Sequence, residues 1–156
     1  MQTQQLLLQC YQTLDDKPQM IKQLLRMIQM QPRETGYYRQ LGDLYTEDAA
    51  QQERAYTSIV EAQPQESQSH ALLAEIRQAQ NRWNEAADEW RAVSEIRKLE
   101  PTGLLGLAKV QIHQGEWVAA ERTVERLRNT DWPERFEDVK KQVRELERQI
   151  SERAMP

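Results

Sequence analysis

The sequence predicts an all-α protein, an α-solenoid of about four helix–turn–helix units closed by a C-terminal capping helix. Three observations lead there. Helix formers dominate and glycine is scarce, with 5 in 156 residues. Residues recur at one fixed spacing, Trp83 with Trp117, Ala86 with Ala120, Leu73 with Leu107, Ala74 with Ala108 and Asn81 with Gly115, each pair 34 apart. Apolar residues inside each half-repeat follow steps of three and four, the mark of an amphipathic helix.

Extended backwards, this frame sets repeats at 1-34, 35-66, 67-100 and 101-134. The second is two residues short, and the deficit falls between Tyr45 and Tyr56, where an inter-helix turn belongs. The seventh position reads Leu7, Leu41, Leu73, Leu107, and the tenth reads Cys10, Leu44, Ile76, Val110. Both are apolar throughout, so both are expected in the core, Cys10 as a small buried hydrophobe. The eighth is mostly small, with Gly42, Ala74 and Ala108 after Leu8.

The second helices begin at turns suited to a left-handed residue, Asn81 and Gly115. Repeat one offers Asp15-Asp16-Lys17-Pro18 there instead, an N-cap followed by a proline in the first turn. Ala86 and Ala120 allow close helix approach, large residues follow at Leu24, Tyr56, Trp90 and Val124, and Pro32 and Pro64 end two of the second helices. Beyond 134 the period stops. Over 135-153, Phe136, Val139, Val143, Leu146 and Ile150 recur at three and four opposite a charged face. That is one amphipathic helix, a lid over the apolar end of repeat four as repeat arrays require, with a coiled-coil strand as the competing reading. No comparable cap stands at the N-terminal end, which suggests a piece of a longer protein.

The chain resembles the tetratricopeptide repeat (TPR) family across 1-134. The residues carrying the resemblance are Tyr38 and Leu104 at one position, Leu41-Gly42 with Tyr45, Gly115 with Trp117 and Ala120, and the prolines Pro32 and Pro64. Repeat one departs from the pattern at Leu8 and Met20, where small residues are usual. The resemblance implies a right-handed solenoid whose first helices line a concave groove for a protein or peptide partner. Carried over position by position, the groove takes Gln2, Gln5, Gln9 and Gln12 from repeat one and Arg39 and Asp43 from repeat two. Repeat three adds Glu75 and Gln78, and repeat four adds Leu105, Lys109 and His113. The glutamines also stand out on spacing alone. Steps of three, four and three put them on one helix face, opposite Leu7, Cys10, Tyr11 and Leu14, and a glutamine row offers both donors and acceptors. The slots of the carboxylate clamp that some TPR domains use on chaperone tails hold Gln5, Gln9, Gln40, Gln68 and Leu72, which disfavours that partner.

Other chemistry is not signalled. His70 and His113 stand alone, with His70 expected to be a packing residue, and no phosphate loop, nucleophile elbow or zinc spacing occurs. The sequence therefore predicts a non-catalytic scaffold without metal or cofactor. The net charge of −4 argues against a nucleic-acid binder, including an RNA-reading helical repeat. The apolar runs are too short for a membrane helix or a signal peptide, so cytoplasm is the default compartment, which a single cysteine does not test. The alternatives are an accessory region of a larger enzyme or transport assembly, and self-association through the unstacked end that carries Leu6 and Leu8.

Overall fold

The turns organise this chain. In the computed structural model, which describes residues 2–153, Asp15, Asn81 and Gly115 all adopt left-handed backbone, with φ of 51°, 60° and 71°. These are the equivalent turn positions of repeats one, three and four. Repeat one thus uses the same turn as the others, with an aspartate in place of asparagine or glycine, and Asp16 then caps the following helix by accepting from the Gln19 N–H at 3.2 Å. Repeat two has no left-handed residue at its turn. Its first helix is short and ends at Leu44, and Asp48 caps the next by accepting from the Gln51 N–H at 3.0 Å.

The described residues form α1 (Gln2–Thr13), α2 (Lys17–Met30), α3 (Thr35–Leu44), α4 (Ala49–Ala62), α5 (Ser67–Ala79), α6 (Trp83–Ile96), α7 (Thr102–His113), α8 (Trp117–Asn129) and α9 (Val139–Glu152). They fall into two compact units, up to Ser69 and from His70 onward. The helix expected from 135 begins at Val139, because Phe136 belongs to a short 3-10 turn at Glu134–Phe136.

In the first unit Leu8, Leu24, Met27, Tyr37, Leu41 and Ala55 form the core. Gly42 lies against the Tyr56 ring, where a Cβ would come within 2.8 Å of it. Helix α1 differs from expectation. Leu8 is buried, but Leu7 is 38% and Leu14 72% exposed, and Cys10 is exposed as well. The inward face of α1 is instead Gln4, Leu8 and Tyr11, with Gln4 accepting from the buried Gln23 amide through its side chain and through its backbone carbonyl at 3.2 Å. The cause is what covers the seventh and tenth positions. Leu41 is covered by α2 through Leu24 and Met27, whereas among the described residues no helix lies over Leu7, Cys10 and Leu14.

The second unit holds two adjoining cores. Trp90 and Val93 of α6 pack with Ala74, Ala86, Ala87, Leu107 and Val110. Leu104, Ala108, Ala120, Val124 and Leu127 pack with Val139, Val143, Leu146 and Ile150, so α9 lays its apolar face on α7 and α8. Ala86 and Ala120 are fully buried, which lets their helices approach. Closer approaches occur at two glycines. A Cβ on Gly106 would sit 2.3–2.6 Å from the Trp90 indole, and one on Gly103 would meet the Ser94 backbone at 2.4 Å. Buried His70 bonds Glu89, which also pairs with Arg77, as packing requires of polar groups out of water.

Candidate binding surface

The residues expected to line a groove divide by what they already touch. Gln2, Gln5, Gln9 and Gln12 are all exposed along one strip of α1. Arg39 is half-buried and donates to Glu66 at 3.2 Å and to the Ser69 hydroxyl at 3.3 Å. Asp43 accepts from the Tyr56 hydroxyl at 2.6 Å. Burial first, and then this bond and the Asp43 charge, push the Tyr56 pKa well above the ordinary phenol range.

In the second unit Glu75 is exposed, while Gln78 accepts from the Trp90 indole N–H at 3.0 Å. Leu105 does not line an open surface. It is 8% exposed and belongs to the core shared with α9, because the capping helix covers the place where a groove residue would face water. Lys109 and His113 are exposed on α7, one turn apart, with the His113 ring against Trp83 at a centroid distance of 3.7 Å.

Lys109 borders a cleft of about 500 Å³ between α7 and α9, lined also by Asp138, Lys141, Gln142, Glu145, Leu146 and Gln149. Its floor is apolar, since Leu146 is buried. Glu145 is engaged within its own helix. The Arg148 guanidinium and then the Gln149 amide hold its carboxyl down to about 2, so it is ionised and already paired. Lys109 and Lys141 make no ion pair among the described residues. The cleft therefore presents two uncommitted ammonium groups and the Asp138 carboxylate beside an apolar floor and glutamine side chains, suited to a segment that carries a carboxylate next to an apolar residue. Lys141 was not singled out by sequence reasoning. It lies on the charged face of α9, but its position beside Lys109 depends on how α9 seats on α7.

No family model matches the chain, and no curated protein matches it by sequence. Solved structures do match. One crystal structure of MamA aligns over 94% of this chain and 93% of its own with a TM-score of 0.63 and 12% identity. A second crystal structure of MamA protein aligns over 99% and 96% with a TM-score of 0.64 and 12% identity.

The fold shared with these structures is an all-helical α-solenoid.

At 12% identity the likeness is one of fold. Among the described residues no three His, Cys, Asp or Glu side chains gather as a metal cradle, and no helix is long and apolar enough to cross a membrane.

Proposed function

We propose that this chain is a non-catalytic scaffold that holds a partner protein through a peptide segment. The contact centres on the face formed by α7 and α9 in the second unit. The observation that carries the reading is the α7–α9 cleft, where Lys109 and Lys141 stand without carboxylate partners over buried Leu146. A solvated surface lysine is unremarkable alone. Two beside one apolar-floored cleft of about 500 Å³ make a place where an acidic side chain and an apolar neighbour are recognised together. His113 on its Trp83 platform extends the same helix face by one turn.

The test is to select peptides from a random displayed library on the full chain, then titrate the selected sequences by fluorescence anisotropy. Enrichment of an acidic residue beside an apolar one is expected. The Lys109→Glu, Lys141→Glu double variant should weaken binding about tenfold, from two exposed ion pairs worth about 0.5–1 kcal/mol each. Peptides without acidic residues, or unchanged affinity in the double variant, would overturn the cleft as the binding site.

A further inference from the structure

We infer that the α7–α9 cleft is one half of a bipolar groove, and that the segment it takes carries a basic residue close to its acidic one. The inference rests on the peptide-binding reading above and specifies its partner. A second cavity of about 380 Å³ adjoins the cleft at the N-terminal end of α9. Asp138 and Gln142 border both, so the two form one continuous trough. Its floor is a single core. Buried Leu105 and Val139 lie under the second cavity and buried Leu146 under the first, with half-buried Phe136 beside them.

Charge divides along this trough. Lys109 and Lys141 stand in the cleft, whereas Glu134, Glu137 and Asp138 border the second cavity. The Arg135 guanidinium beside them is already engaged, 3.8 Å from Glu100 and 4.8 Å over the Phe136 ring. The three carboxylates have no ion-pair partner among the described residues, and Asp138 makes no side-chain bond to the first turn of α9. Lys141 follows Asp138 by three residues on the same trough and does not pair with it. An acidic segment with no base would carry its charge past three carboxylates and be repelled. A segment that also holds a lysine or arginine meets its complement at both ends. Asp138 to Gln149 measures about 16 Å along α9, room for about five residues of extended chain. A base and an acid within four positions of each other therefore reach both ends.

The test selects random displayed peptides on the full chain and on a neutralised variant, Glu134→Gln, Glu137→Gln, Asp138→Asn, which removes charge with little change of shape. On the wild type, a basic residue should be enriched within four positions of the acidic one. On the neutralised variant the acidic preference should remain and the basic preference vanish. By fluorescence anisotropy, peptides selected on the wild type should bind the neutralised variant about two- to fivefold more weakly, the size of an exposed ion pair. Replacing the peptide's basic residue with glutamine should abolish that difference. All three substituted side chains are exposed, so the far-UV helix signal should match the wild type, and the wild-type selection decides the matter even where the variant unfolds. Acidic peptides without a basic neighbour would overturn the bipolar groove and leave the cleft reading standing. So would wild-type peptides that bind the neutralised variant equally well or better. Selected peptides with no acidic residue would overturn the cleft reading and this inference with it.

Discussion

Gly106 should respond to alanine with opposite signs depending on Trp90. In a helix interior Gly→Ala normally stabilises, by about 0.8–1 kcal/mol, because glycine loses more backbone entropy on folding. At Gly106 the new Cβ would lie 2.3–2.6 Å from three indole carbons of Trp90. That is roughly 1 Å inside the optimal carbon–carbon contact. The indole cannot swing away easily, because it is 7% exposed, packed among Ala74, Ala86, Val93 and Leu107, and tied by its N–H to Gln78. Overpacking of this kind costs about 1–3 kcal/mol, and with two or three atoms pressed at once the upper end applies. The net expectation for Gly106→Ala is a destabilisation of about 1–2 kcal/mol. Trp90→Ala alone should cost about 3–5 kcal/mol. In the Trp90→Ala background the obstruction is gone, and Gly106→Ala should then stabilise by up to about 1 kcal/mol. The assay is urea unfolding of the four proteins followed by far-UV circular dichroism, which does not depend on the mutated tryptophan. If Gly106→Ala stabilises the wild type, or costs the same in both backgrounds, the indole does not rest on the α7 backbone and the reasoning fails. A loss below about 1 kcal/mol for Trp90→Ala would equally refute burial of that side chain.

Tyr56 predicts an alkaline weakness. Its folded pKa is raised by burial and by Asp43, so the folded chain keeps a proton that the unfolded chain gives up near pH 10. The stability this proton contributes is complete below about pH 10 and drains as pH rises above it, so the urea midpoint should hold up to about pH 10 and fall progressively beyond it. Tyr56→Phe should reduce that slope and remove one late-titrating phenol from the ultraviolet pH titration; an unchanged slope would contradict the buried Tyr56–Asp43 bond. At the turns, Gly115→Ala should cost about 1–2 kcal/mol, all of it backbone strain at φ 71°, since the added Cβ would meet nothing nearer than Trp117 at 3.6 Å. Asn81→Gly, at φ 60°, should be neutral or stabilise slightly. Thermal melts of the two variants check the pair, and a neutral Gly115→Ala would show that the turn does not need left-handed backbone.

The repeat was legible because its evidence is relational: five residue pairs at one spacing constrain each other more than any single propensity does. What was less legible depends on neighbours. Leu7 and Cys10 read as core because their equivalents at Leu41 and Val110 are core, yet an apolar position is buried only when a helix lies over it. Leu105 failed in the opposite direction, since the capping helix covers a position that groove logic leaves open. Arg39, Asp43 and Gln78 have the polar character a groove needs. Each nonetheless bonds a group of its own unit, and sequence spacing does not say whether a polar side chain finds water or a neighbour first. Asp15 was hidden by its own context, because Asp16 and Pro18 make a good helix start whether or not the preceding residue is left-handed.

The glycines of α7 carry the argument one step further. Two glycines three apart in a helix of 12 residues cost about 2 kcal/mol relative to alanine, so some contact must make them worth keeping. The structure supplies it twice, the Ser94 backbone at Gly103 and the Trp90 indole at Gly106. Both contacts come from α6, so both glycines lie on the face of α7 turned toward the preceding helix. Lys109 is exposed on α7, while His113, seven residues after Gly106, lies against Trp83 of α6. Fixing one face of α7 against α6 by such close contacts sets the rotation of the helix about its own axis. That rotation presents Lys109 to the cleft beside α9, so the small residues of α7 position the candidate site without touching it.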